Sequence, residues 1–261
     1  MGAQLAAVWR FRHFLLSLVR LDLRTRYTRS ALGVGWAVVQ PILMALVFVT
    51  VLGGVLGMTP GHYLADLLLG MAVWAFVRES LVSGSGAFTA HETYVRQCPL
   101  PYTLYPLRLV LGAAVHAGIA LLVGVVAVAV VNGGVEKLAM LPVVVPGLLL
   151  LLLAGWAAAT LCAFAQAFFH DTRHLLDIAC QMLFFLTPII YPANVLVDKG
   201  LGFVARLNPV NLFLELVRAP LTTGLPPDPK LYLYAAVFTA ALGVVALAAV
   251  RRFQRTLVYH L

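Results

Sequence analysis

Charge is what this sequence has least of. Asp, Glu, Lys and Arg make up 11% of the 261 residues, and none of them occurs from Ser30 to Ala65. With 62% of residues hydrophobic, the chain carries too little polar side chain to cover a water-soluble globule of its size. Cysteine is scarce too. Cys98, Cys162 and Cys180 fall in separate segments without ligand spacing, which argues against a disulfide framework or a zinc site. No Gly-Lys pair exists, so the loop that cradles nucleotide phosphates is missing. A Gly-x-Ser-x-Gly elbow and a His-Glu-x-x-His helix are missing as well. The chain is therefore not expected to hydrolyse ATP, and no hydrolase chemistry is encoded in a recognised motif.

What remains reads as a membrane protein. A hydrocarbon layer of about 30 Å takes roughly 20 helical residues at about 1.5 Å each. Six windows are read as spans: Leu32–Leu56, Tyr63–Val82, Pro106–Val131, Met140–Phe169, a short Leu175–Tyr191, and Leu231–Val250. The expected fold class is an all-α integral membrane protein of one domain, 1–261. Residues 1–30 form an amphipathic interface helix, 31–192 hold spans 1–5, 193–230 form an outer re-entrant segment, 231–250 form span 6, and 251–261 form a cytoplasmic tail.

The basic residues set the orientation. Arg20, Arg24, Arg26 and Arg29 stand just before the uncharged run, which favours the cytoplasmic side. With six spans, 13 of the 18 Lys and Arg fall inside, and both termini are expected to be cytoplasmic. The net charge of +8 sits at span boundaries, where topology accounts for it, so no nucleic-acid partner is expected. Met1 to Arg20 does not read as a cleavable signal, because Arg10 and Arg12 interrupt its apolar stretch.

Several segments carry more than topology. Phe11, Leu15, Leu18 and Leu23 recur at helical spacing between arginines, which fits an amphipathic helix in the inner interface or a juxtamembrane tether. Gln40 and Pro41 lie within span 1 and are expected to face protein or a cavity. Arg78 and Glu79 interrupt span 2; they either mark a cytoplasmic helix end or contact a polar cargo. His116 in span 3 reads as a hydrogen-bonding residue between helices rather than a ligand.

The connection from Ser83 to Pro106 contains Thr89, a candidate N-cap, with Glu92 three residues later as in a capping box, and Pro99 as a stop. A short helix so bounded, carrying Tyr94 and Arg96, can dock on a soluble partner. Between spans 4 and 5 only HDTRH intervenes; His170, Asp171 and His174 lack a third strong ligand for a metal. From Ala193 to Lys230 the chain is too polar to span, yet GFVARLNPVNLFLELVRAPLTTG keeps apolar helical character. Two short helices dipping into the outer leaflet, turned at Asn208 and Pro209, satisfy both facts.

Three stretches taken together resemble the membrane subunits of type 2 ATP-binding-cassette exporters, in the branch that moves O-antigen, teichoic acid and capsule-like polysaccharides. They are DLRTRYTRSALGVGWAVVQP at 22–41, FFHDTRHLLDIACQMLFFLTPIIYP at 168–192 and LNPVNLFLELVRAPLTTG at 207–224. The resemblance implies a homodimer with two cytoplasmic ATPase subunits in the bacterial inner membrane. A lipid-linked glycan would pass between the two halves. ATP and Mg would be bound by the partner ATPase, with no cofactor in this chain. It also implies that Thr89, Glu92, Tyr94 and Arg96 form a coupling helix, and that Arg24, Arg26, Tyr27 and Arg29 lie at a cytoplasmic gate. Two departures stand out: Cys98 occupies the coupling segment's aromatic position, and Arg78 and Glu79 replace small polar residues.

Sugar rings offer hydroxyls to polar groups and CH faces to aromatic rings. The pore-lining candidates are accordingly Trp36, Phe48, Arg78, Glu79, Phe184, Phe185 and Tyr191, alongside the alternative of packing or lipid-facing aromatics. Other readings are the same architecture moving a lipid, drug or other small molecule, a membrane glycosyltransferase or acyltransferase built on HDTRH, and a passive scaffold.

Overall fold

The computed structural model of the chain describes residues 10–27, 30, 32–55, 57–92, 100–131, 135–192, 195, 198, 200 and 202–257. Among them every regular element is helical: α1 (Arg12–Tyr27), α2 (Trp36–Leu52), α3 (Pro60–Ser85), α4 (Leu104–Val131), α5 (Leu141–Phe168), α6 (Thr172–Leu186), α7 (Gly202–Leu207), α8 (Pro209–Thr223) and α9 (Pro229–Phe253), with short 3-10 turns between some of them.

Among the described residues five helices are long and apolar enough to cross a membrane, namely α2 with its leading turn, α3, α4, α5 with its leading turn, and α9. The expected fifth span differs. Its helix, α6, has 15 residues and rises only about 22 Å. It stops where Thr187 turns extended (ψ 132°), because the ring of Pro188 disfavours a helical residue before it.

Helix α3 is the centre of the bundle. Its most apolar window is 61% buried within the protein, against 11–28% for the other four long helices, which leave most of their apolar surface outward. Close approach is achieved with small residues. A Cβ on Gly124 of α4 would lie 2.8 Å from the Leu69 side chain and 3.1 Å from its backbone nitrogen. On α5 the small-residue stretch GWAAATLCAFA packs closely too, with Gly155, Ala157, Ala159 and Ala163 buried.

These contacts make a test within one helix. Gly112, also on α4, has open space around its Cβ position. Gly112→Ala should be neutral or up to about 1 kcal/mol stabilising, and Gly124→Ala should cost about 1–3 kcal/mol through overpacking. Equal melting temperatures for the two variants in detergent would refute the packing account.

Local sequence explains the helix starts. Pro60, Pro209 and Pro229 each open a helix, where a missing N–H costs nothing. Asn208 and Asp228 cap α8 and α9 by accepting the Val210 and Lys230 amides, both at 2.9 Å. Gly224 closes α8 in the left-handed conformation (φ 74°). The expected break at Asn208–Pro209 thus appears as a cap between α7 and α8.

Helices α1 and α9 meet the same end of the bundle. Leu15 and Val19 of α1 are buried against Leu104 and Leu107 at the start of α4. Val250 and Leu257 join Phe88, Tyr105 and Phe164 in a second cluster at that end.

Candidate functional site

Three helices each offer one face to a groove of about 420 Å³. From α2 come Ala37, Gln40, Pro41 and Met44; from α3 come Met71, Trp74, Ala75, Arg78 and Glu79; from α6 come Cys180, Gln181, Phe184 and Phe185. Spacings of three, four and seven put each set on one side of its helix. His116 and Ala120 of α4 form the floor.

The groove mixes aromatic faces with polar heads. Trp74 and Phe184 lie 5.5 Å apart at 53°, and Phe184 and Phe185 lie 5.5 Å apart at 75°, both within the range for favourable ring pairs. Arg78 Nη2 donates to Asp177 Oδ1 at 2.8 Å, joining α3 to α6. Both side chains keep a third or more of their surface exposed (48% and 35%), so the pair contributes little to stability, and the Arg78 charge stays accessible from the groove.

Of the pore-lining candidates, the structure brings Arg78, Glu79, Phe184 and Phe185 together and leaves three elsewhere. Trp36 is exposed at the start of α2, outside the lining. Phe48 packs against the main core. Tyr191 lies at a different cavity, and its hydroxyl donates to the Phe185 carbonyl at 2.6 Å. Gln40 and Pro41 face the cavity as expected. Trp74 and Asp177 were not singled out by sequence. Asp177 had a signal: it is the one charged residue in the window Leu175–Tyr191 and needed a basic partner.

The turn after α6 is strapped rather than free. Arg218 Nη1 donates to the Pro188 carbonyl (2.9 Å), the Tyr63 hydroxyl donates to the Ile190 carbonyl (2.6 Å), and Asn208 Nδ2 donates to the Thr187 hydroxyl (2.8 Å). Non-helical backbone inside a membrane protein must be satisfied by protein in this way. Along residues 177–190 the chain travels from beside Arg78 to beside Tyr63, roughly 22 Å along α3.

At the α1 end, Asp22 accepts Nε and Nη2 of Arg108 in a bidentate pair, with the arginine side chain only 8% exposed. Arg24 of the gate candidates is exposed on α1. Arg26 and Tyr27 belong to the α1 backbone, but their side chains, and all of Arg29, lie outside the described residues. Tyr94 and Arg96 also lie outside them.

The capping box at Thr89 is not formed. Thr89 is the first residue of a 3-10 turn, Thr89–His91, and its hydroxyl donates back to the Gly86 carbonyl at 3.3 Å. Burial of Ala87 and Phe88 carries the helical course past Ser85, so the residue before the turn is already helical (φ −86°, ψ −44°) and no extended capping position exists. Glu92 is half-buried just beyond. In HDTRH, His170, Asp171 and His174 are exposed, and no metal-holding group of three ligands occurs among the described residues.

The amino-acid sequence matches known proteins. The ABC-2 type transporter family aligns with residues 13–222, most of the chain. The chain belongs to that family. Among curated relatives of this ABC-2 chain is the O-antigen export system permease protein RfbA of Myxococcus xanthus, 25% identical over 205 residues, covering 78% of each chain. Two O-antigen export system permease proteins RfbA of Klebsiella pneumoniae are 22% and 20% identical, over 75% of each chain. An ABC-2 membrane component implies an ATPase partner and a multi-pass membrane setting.

Proposed function

We propose that this ABC-2 chain is the permease half of an ATP-driven exporter that carries a lipid-linked polysaccharide across the bacterial cytoplasmic membrane. The observation that carries the reading is the groove, where Trp74, Phe184 and Phe185 stand beside Gln40, Arg78, Glu79 and Gln181. Sugars present both apolar faces and hydroxyls, and a wall alternating rings and polar heads lets them slide without a tight site. The names of the relatives support the same cargo class.

On this reading α6 and its strapped turn make the sixth crossing, with α7 and α8 as re-entrant helices at the outer face. The two chain ends are cytoplasmic. Two copies enclose the path, each groove facing the other, and two ATPase subunits act on residues 89–99 from the cytoplasm. ATP and Mg belong to those partners, and this chain is not itself an enzyme.

The test is a deletion strain complemented with wild type or with the double variant Phe184→Ala, Phe185→Ala. Deletion should abolish surface glycan and leave lipid-linked glycan at the inner leaflet. Wild type should restore it, and the double variant should restore less than about a tenth at equal protein level. Normal surface glycan in the deletion strain would favour the lipid or small-molecule cargo instead. Full rescue by the double variant would remove these two rings from the path.

A further inference from the structure

A second cavity, of about 240 Å³, lies at the opposite end of the bundle from α1, between the start of α3, the strapped turn and α8. Its chemistry differs from that of the groove. Asp66, Glu215 and Arg218 line it together with the ring of Tyr191 and the apolar side chains of Met58 and Ile189. Glu215 and Arg218 lie three residues apart on one face of α8, opposite Asp66 on α3.

These groups have hydrogen-bonding capacity that the fold does not use. Asp66 has no hydrogen bond or ion pair among the described residues. Glu215 accepts from Asn211 Nδ2 through Oε1 alone, at 3.0 Å. Arg218, with five N–H donors, places Nη1 on the Pro188 carbonyl. The charges that act on Asp66 are those of Arg218, His62 and Lys137. Lys137 Nζ is itself held on the Thr222 carbonyl. Two carboxylates and a guanidinium lining one cavity offer hydrogen-bond acceptors and donors to the same occupant. A neutral polyol suits it, since each hydroxyl can donate to a carboxylate and accept from the guanidinium, while Tyr191 and Met58 meet the CH face.

We propose that this cavity is an outer subsite for one neutral sugar ring, separate from the groove, which receives the glycan as it leaves. The volume lies below the roughly 300–1,000 Å³ of pockets that enclose drug-sized ligands, so it takes a single ring rather than an oligosaccharide. The inference rests on the proposed glycan cargo.

The test uses the purified full-length protein in lipid nanodiscs, with methyl glycosides of the host glycan's constituent sugars as probes, followed by saturation-transfer NMR. Wild type should give transfer to at least one glycoside. The double variant Asp66→Asn, Glu215→Gln should weaken it at least tenfold in the protein that remains folded. Ala219→Leu, which fills the cavity without touching its charges, should do the same. Wild-type transfer in both variants would overturn the subsite, as would no transfer to any glycoside in wild type. If instead the deletion strain keeps its surface glycan, the cargo reading itself fails, an outcome independent of the NMR result.

Discussion

Replacing Asp22 with alanine should release α1 from the bundle. Arg108 is buried at the start of α4, and Asp22 is the carboxylate that accepts two of its N–H groups. Removing one partner of a buried pair typically costs about 3–5 kcal/mol, because the remaining charge stays buried without compensation. A third of the Asp22 side chain is exposed, so water reaches the stranded guanidinium and about 2 kcal/mol is the better expectation. Among the described side chains of α1, Leu15 and Val19 are the buried ones that hold it otherwise, with Phe11 and Leu23 packed beside them. At about 1.4 kcal/mol per tenfold, tryptic cleavage at Arg20 and Arg24 should accelerate ten- to thirtyfold, since cleavage tracks the opened population. The exchange Asp22→Arg with Arg108→Asp should restore much of the protection. On the proposed function, α4 begins immediately after the segment that takes the ATPase stroke, so Asp22→Ala should also lower export while ATP hydrolysis continues. Unchanged cleavage with unchanged export would show that the pair neither holds α1 nor transmits motion.

How much of this could be read from sequence depended on whether the deciding chemistry was local. Asn208 and Pro209 carry a cap and a helix opener in adjacent positions, so the break between α7 and α8 was legible. Leu15 lies on the apolar stripe that identified α1, whereas Val19, buried beside it, was not on that stripe. The capping box at Thr89 has the right letters, yet burial of Phe88 outweighs the preference of a threonine hydroxyl for an amide. Span length misled for α6, because apolar residues run on to Tyr191 while Pro188 ends the helix at Leu186. Trp74 was hidden among the other apolar residues of α3, and only tertiary structure shows it meeting Phe184. The pairs Arg78–Asp177 and Asp22–Arg108 bridge 99 and 86 residues, a separation at which periodicity carries no information.

These long-range pairs have a common logic. Helices with little charge find their register through apolar packing that tolerates sliding, whereas one hydrogen-bonded ion pair fixes both position and rotation. Asp22–Arg108, with its arginine buried, does this for α1 on α4, while the exposed Arg78–Asp177 pair joins α6 to α3 at little energetic gain. Arg218 does so for the turn after α6, with a carbonyl as its acceptor.

The turn should be the part of the bundle most sensitive to a single change, and Arg218→Leu is the variant that shows it. The substitution removes the donor on the Pro188 carbonyl and takes away the cation that interacts with both Asp66 and Glu215. An orphaned carbonyl and two carboxylates lining one cavity without their guanidinium should together cost about 3 kcal/mol. For a chain of this size that corresponds to a fall in melting temperature of about 6–12 °C. Adding Asp66→Asn should recover part of the loss, because it removes one of the two unopposed charges; coupled sites of this kind are non-additive by about 0.5–3 kcal/mol. Tyr63→Phe, which breaks another strap on the same turn without touching the charges, should cost about 1–2 kcal/mol and show no such recovery with Asp66→Asn. If the Arg218→Leu and Asp66→Asn effects simply add, the guanidinium acts on the turn alone and the carboxylates fold without it.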